Sequence, residues 1–242
     1  MSYYCCKRIT LDKKNNKIKV CVASSNVFPK TYGTYELCES DSDKYKDYTW
    51  EDKLLCLYED MQSGNIQITT INDNTEKFEY AMCKVREWLR ENNIDSFEDL
   101  YEKRGKVARS KKMKIANITE STNTDKWEKE REDYKKISEW EEKQDKEYIK
   151  NLSNKIWLES LWEVYGEAFK IWKKALEEEI KGEYEILFGN YYKISKLGKY
   201  DRGYSRFFYT NKDYKGEIMS YKKAYIVKYD MGEDRDLEIV KI

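Results

Sequence analysis

Twenty-two tyrosines, seven tryptophans and seven phenylalanines are spread through a 242-residue chain in which 38% of residues are charged. Those rings must build the core, with tyrosine hydroxyls at its edges, because they are large apolar surfaces and each Tyr or Trp among them carries one polar atom. A mean hydropathy of −0.97 would by itself suit a disordered chain. An aromatic content of 15% argues the other way, since disordered chains lack the rings needed to bury apolar surface. The length suffices for one large domain or two small ones. The expectation is a folded, soluble protein.

Basic and acidic residues both number 46, so the net charge is zero and gives no global attraction to nucleic acid or membrane. The distribution is uneven. Residues 101–123 hold seven bases and two acids, and residues 36–60 hold nine acids and three bases. Histidine is absent, which removes the usual general base, the commonest metal ligand and every Ser-His-Asp or Cys-His arrangement. No P-loop, G-x-G-x-x-G or nucleophile elbow occurs. A non-enzymatic protein without metal or cofactor is expected.

The six cysteines, Cys5, Cys6, Cys21, Cys38, Cys56 and Cys83, form no C-x-x-C pair and all precede residue 84. With nothing resembling a signal peptide and no run of membrane-spanning length, they are expected as reduced, buried thiols of a cytoplasmic protein.

The opening "YYCCKRITLDKKNNKIKVCVA" predicts a hairpin around "DKKNN", followed by a third strand near "TYGTYEL". "YTWEDKLLCLYEDMQSG" predicts a helix capped by Thr49, with Asp52 three residues on and Gly64 as its stop. Leu54, Leu57, Tyr58 and Met61 form its apolar face. "NIQITTI" predicts a strand, and "NTEKFEYAMCKVREWLRENN" a second helix that buries Phe78, Met82, Val85 and Leu89. A short third helix, "SFEDLYEKRG", closes this part.

From Thr124 to Lys150, 18 of 27 residues are charged around a thin stripe of Trp127, Tyr134, Ile137, Trp140 and Tyr148. One solvated helix of about 40 Å is expected there. It would break at "NLSN" before a richer helix carrying Ile156, Leu158, Leu161, Trp162, Tyr165, Phe169, Trp172 and Leu176. The tail offers "EYEILF", "NYYKIS", "SRFFYT", "AYIVKY" and "LEIVKI" as short strands. The predicted class is therefore α+β: an N-terminal small sheet with helices, a central long helical segment and a C-terminal antiparallel β meander. Its expected parts are an α+β domain over 1–104, a basic linker over 105–123, and a helical arm with a C-terminal sheet domain over 124–242.

Three surfaces are candidates for binding. The first is acidic: Glu36, Glu39, Asp41, Asp43, Asp47, Glu51 and Asp52, whose spaced carboxylates can imitate a phosphate backbone and enter a partner's basic channel. The second is the run "KRGKVARSKKMK", with Lys103, Arg104, Lys106, Arg109, Lys111, Lys112 and Lys114 but no acid, suited to contacting phosphates or an acidic partner. The third is the tail around Lys199, Arg202, Tyr204, Arg206 and Tyr209, where rings and cations interleave as single-strand binding requires. There "RGYSRFFY" overlays part of the RNA-recognition-motif octamer, but Ser205, Arg206 and Phe207 depart from it. Each surface also has a plain reading, as solvated loop, linker or exposed strand face.

In general character the chain resembles anti-CRISPR and other anti-defence proteins of phages and mobile elements. It is rich in Lys, Asn, Tyr, Ile and Glu, poor in Pro and free of His. That resemblance implies an inhibitor that binds a host nucleic-acid-handling defence complex, a protein or ribonucleoprotein, inside the bacterial cell. The alternative is a direct DNA- or RNA-binding protein using the basic run and the Tyr/Lys-rich tail; an enzyme working through carboxylates is a third.

Overall fold

A computed structural model describes residues 4–24, 32–39, 44–68, 71–94, 97–188, 218–231 and 237–242. Strands β1 (Tyr4–Asp12) and β2 (Lys17–Ser24) form the expected hairpin, turned by Lys13–Asn16, with Asn16 in the left-handed region at φ 53°. Asparagine tolerates that region better than most residues. β3 (Tyr32–Leu37) pairs antiparallel with β2, and β4 (Ile66–Ile68) pairs parallel with β1, giving the order β3-β2-β1-β4. Along β2, Ile18, Val20 and Val22 are buried while Lys19 is exposed, the period of two that turns one sheet face inward.

The pairing of β1 with β2 shifts register between Cys6 and Arg8. Next to this bulge, past the last residue that pairs with β4, the loop before the second helix supplies two hydrogen bonds to β1. Ile9 N–H donates to Asn74 Oδ1 (2.7 Å), and Asn72 Nδ2 donates to the Lys7 carbonyl (3.2 Å).

α1 (Trp50–Gln62) begins with the predicted capping box: Asp52 N–H donates to Thr49 Oγ1, and Thr49 N–H donates to Asp52 Oδ2. Lys53, almost wholly buried, donates to the Asn16 carbonyl (2.8 Å) and so ties α1 to the hairpin turn. α2 (Glu76–Glu91) buries Phe78, Met82, Val85 and Leu89 as its spacing required.

Three elements differ from expectation. The third helix, α3 (Phe97–Ala116), runs for 20 residues, through most of the stretch read as a linker. Next, the chain breaks at Glu142–Asp145 rather than at "NLSN", giving α4 (Lys126–Glu141) and α5 (Lys146–Glu177). Asp145 makes the break: its side chain accepts from Glu147 N–H and Tyr148 N–H, both at 3.0 Å, and starts a new helix. Asn151 to Asn154 then lie inside the 32 residues of α5, whose buried face is strong enough to override their low helix propensity.

The third difference overturns the C-terminal antiparallel β meander. Among the described residues the chain is mostly helical, and "AYIVKY" lies in helix α6 (Tyr221–Met231). Ser220 Oγ accepts from Lys223 N–H (3.1 Å), an N-terminal cap that favours a helix over the alternating strand pattern. β5 (Tyr184–Phe188) and β6 (Leu237–Lys241) pair directly as a two-stranded antiparallel ribbon across α6. The other two predicted strands, "NYYKIS" and "SRFFYT", lie outside the described residues.

One core cluster spans the inner face of the sheet, α1, α2, Leu100 of α3, α5 from Leu161 to Leu176, and Ile226 of α6. It therefore joins residues on both sides of the stretch 105–123. A small satellite of Ile186, Met219, Ala224 and Val227 holds β5 to α6. Between these layers, Trp162 Nε1 on α5 donates to Asp52 Oδ1 at the start of α1 (2.7 Å). Replacing Asp52 with alanine removes the cap and orphans the Trp162 N–H, so a loss of about 2–4 kcal/mol is expected in urea unfolding. An unchanged midpoint would show that the capping network contributes nothing.

Candidate interaction surface

The acids singled out from the sequence divide by what they touch. Glu36 accepts from Lys17 across the β2–β3 pair (3.0 Å), Glu51 accepts from Lys173 of α5 (2.7 Å), and Asp52 is buried in the α1 cap. Glu39 and Asp47 are exposed, and Asp41 and Asp43 lie outside the described residues. No contiguous row of free carboxylates forms from the members that can be placed, because three of them hold neighbouring elements together.

The basic run occupies α3, and most of its cations meet acids of the same chain. Arg104 donates to Glu59 of α1 (3.1 Å), with both side chains largely buried, and its guanidinium lies over the rings of Tyr101 (4.8 Å) and Trp157 (6.0 Å). Burial still holds the Glu59 carboxyl above its ordinary range, although Arg104 opposes that shift. Lys106 pairs with Glu102 (3.6 Å) and Arg109 with Glu130 (3.2 Å). Lys111 reaches Glu159 (3.3 Å) and Glu163 (3.1 Å) of α5, which raise its ammonium above its usual value. Lys112 pairs with Glu141 at the end of α4 (2.6 Å). Lys103 and Lys114 are exposed. Lys199, Arg202, Tyr204, Arg206 and Tyr209 lie outside the described residues.

These pairs also fix how the helices run. Glu102–Lys126, Arg109–Glu130 and Lys112–Glu141 ascend together along α3 and α4, so the two helices point the same way. The connector between them must return, and it does so antiparallel beside α4. Lys136 donates to the Thr119 carbonyl, Ser121 N–H donates to Asp133 Oδ1 (2.7 Å), Ser121 Oγ donates to Glu132, and Asn123 donates to Glu128. The hydrogen bonds from Ser121 and Asn123 hold the Glu132 carboxyl below its ordinary value. α3, connector and α4 form a three-ply arm.

The outer face of that arm carries the largest exposed ring among the described residues, Trp127, at 80% exposure. Arg131 and Tyr134 follow at i+4 and i+7, on the same side of α4 and also exposed. The Arg109 guanidinium stacks over the Tyr134 ring (5.6 Å), and Tyr101 is exposed on α3 beside Glu102, the partner of Lys126. Of α4, only Asp133 and Ile137 are buried. A helix that buries so little of itself yet presents Trp, Arg and Tyr in one row has the composition of an interface centre.

A second cluster, which the sequence reading missed because Tyr225 lies in a segment read as a strand, joins α2, α6 and the end of α5. Tyr80 stands edge-on to Tyr225 (5.2 Å) and Tyr221 (6.3 Å), and Tyr221 edge-on to Tyr184 (5.2 Å). Each buried hydroxyl finds a carboxylate: Tyr80 donates to Glu178 (2.7 Å) and Tyr225 donates to Glu87. Burial and these bonds push both phenols well above their usual value. Burial works against ionising Glu87, but bonds from Tyr225 and Lys84 outweigh it and hold that carboxyl low. Lys222 lies over the Tyr80 ring (5.3 Å), and burial holds its ammonium below the usual range. The cluster is satisfied from within and serves to dock α6 on α2.

Among the described residues no group of three or more His, Cys, Asp or Glu side chains is placed to hold a metal ion, and no helix is long and apolar enough to cross a membrane. Comparison of the chain with known protein families, with curated proteins and with solved structures found no match.

The charge lattice around α3 makes a direct prediction. Lys112→Glu places two carboxylates together at a half-buried site and is expected to cost about 1–2 kcal/mol in urea unfolding. Lys103→Glu, on the exposed side, should stay within about 0.5 kcal/mol of the parent. Equal effects would mean that the ion pairs of α3 do not hold the arm.

Proposed function

We propose that this chain is a non-catalytic interaction protein that docks through the outer face of the α3–α4 arm. The observation that carries the reading is Trp127, which stands almost free of the protein's own surface with Arg131 and Tyr134 beside it. Leaving an indole in water forgoes several kcal/mol of burial, an arrangement that a binding partner would repay. The balanced charges around it, with Glu128, Glu132 and Lys135 exposed on the same helix, suit a protein partner better than a phosphate backbone. That the partner is a host nucleic-acid-handling defence complex rests on the chain's resemblance in composition to anti-defence proteins.

Direct binding of DNA or RNA is the second reading. It is supported by exposed Lys103 and Lys114 and by the ten bases, nine tyrosines and three acids between Tyr191 and Tyr229. Against it stands the engagement of Arg104, Arg109, Lys111 and Lys112 inside the fold, since cations already paired release fewer counterions on meeting phosphate.

The test compares the parent with a Trp127→Ala/Tyr134→Ala variant in pull-downs from bacterial lysate and in titrations with labelled single- and double-stranded oligonucleotides over a salt series. The expected result is a protein partner whose affinity falls about 30-fold or more in the variant, at an unchanged melting temperature. Equal capture by both proteins would refute the arm as the docking face. Tight oligonucleotide binding that collapses with salt would establish the second reading instead.

A further inference from the structure

The four-stranded sheet ends differently at its two sides. On one side stands β4, three residues long and paired parallel with β1, too short to template another strand. On the other stands β3, six residues long, and among the described residues no strand pairs with its outer edge. β3 pairs with β2 in one unbroken register, from Ile18 opposite Leu37 to Ala23 opposite Tyr32, so no bulge twists that edge away. It carries no lysine, arginine or proline, and its one charge, Glu36, is drawn to Lys17 on β2 (3.0 Å). β3 itself therefore has none of the devices by which an edge strand resists pairing.

Gly33 and Thr34, in the middle of this edge, are exposed, and a Cβ placed on Gly33 would meet no atom of the described residues within 4 Å. Gly33 shares the inward face of the sheet with Tyr35 and Leu37, opposite Val22, Val20 and Ile18 of β2. The layer that covers the other two stops short of it. Leu37 is buried, Tyr35 is half-buried, and Gly33 lies open.

We propose that β3 is an interface between two copies of this chain, paired antiparallel edge to edge about a two-fold axis at Thr34. In a regular antiparallel ladder, opposed residues turn their backbone groups the same way, so such an axis passes through a pair of identical residues. An axis at Thr34 pairs residues 32–36 of each copy and sets Tyr35 of one against Gly33 of the other. A tyrosine ring then covers the bare Cα, as an aromatic residue shields a glycine on a neighbouring strand. The two Thr34 hydroxyls meet as a cross-strand pair. An axis at Tyr35 would instead oppose Gly33 with Leu37, whose side chain is already buried in the core. One at Gly33 would pair only residues 32–34 of each β3. With the axis at Thr34 no charge faces its like, and the two four-stranded sheets become one continuous sheet. β3 belongs to neither helix of the α3–α4 arm, so this pairing and docking through the arm stand or fall independently.

Light scattering on the full chain, eluted from a sizing column over a range of loading concentrations, reads the mass against the 29.3 kDa of one chain. The expected result is twice that mass at high concentration, falling toward one chain on dilution. Thr34→Lys and Thr34→Glu each set two like charges against each other at the axis. Each should weaken the dimer about fivefold or more, while circular dichroism shows the fold intact. An equimolar mixture of the two variants should recover the parent's affinity, because lysine then faces glutamate. Thr10 is exposed on β1, away from the edge, and Thr10→Glu should dimerise like the parent. A single-chain mass at every concentration, undiminished dimers of both Thr34 variants, or a mixture that stays monomeric would overturn the proposal. So would a tighter dimer of Thr34→Lys alone, which would put the axis at Tyr35 with position 34 against Glu36. Loss of the dimer in Trp127→Ala would move the contact to the arm and overturn it equally.

Discussion

The fold depends on the burial of Trp172. Its ring, fully enclosed on α5, stacks on Phe169 (centroids 6.0 Å apart) and packs against Tyr58 of α1 (5.8 Å) and Phe78 of α2 (6.4 Å). An indole buries on the order of 150–250 Å2, worth about 4–6 kcal/mol at ~25 cal/mol per Å2. Its Nε1 and the Tyr58 hydroxyl have no hydrogen-bond partner, at about 1–3 kcal/mol each. Apolar burial and ring packing on several sides outweigh that penalty. Once α5 is fixed there, Trp162 reaches the α1 cap, Lys173 reaches Glu51, and Glu159 and Glu163 are presented to α3.

Charge does its work inside the molecule before it can act outside. The acidic and basic runs that stand apart in the sequence meet in space: Glu59 with Arg104, Glu130 with Arg109, Glu141 with Lys112, Glu51 with Lys173. Fully exposed pairs contribute little individually, whereas these are half-buried or, for Glu59 and Arg104, largely buried. Their arrangement also sets direction, making α4 run with α3 and forcing the connector back between Asn117 and Asp125. Nucleic-acid affinity inferred from a basic run counts charges that the fold has already engaged. What stands outward on the arm is a balanced set of charges with the rings of Trp127 and Tyr134 among them, which is why the functional reading rests on those rings rather than on lysines.

Where local chemistry and tertiary demand agree, the structure was legible in the sequence. The β1–β2 hairpin, the Thr49–Asp52 capping box and the apolar faces of α1 and α2 all follow from turn residues, caps and periodicity. Legibility failed where a distant partner decided the outcome. α3 carries too many cations to look helical alone, and its acids come from α1, α4 and α5. Asn151 to Asn154 resemble a break until α5 is seen to have a core to bury. "AYIVKY" alternates like a strand, and the Ser220 cap together with packing on Tyr80 favours a helix instead. Of the candidate surfaces, Asp52 is legible both as a cap and as an acidic candidate and lies buried in the cap, while Trp127 and Tyr134 are legible as part of a thin stripe on a solvated helix, without Arg131. The sequence shows which residues share a helix face, and not whether that face meets anything.

The measurement that tests this account most directly is native-state hydrogen exchange resolved by segment. If α5 is the element on which the rest is assembled, its amides around Tyr165 to Trp172 should exchange as slowly as those of α1 and α2, in one cooperative opening, with α4 exchanging earlier. Protection in α5 that is lost well before that of α1 and α2 would show that the sheet and its helices hold together without it, and would contradict the central role given to Trp172.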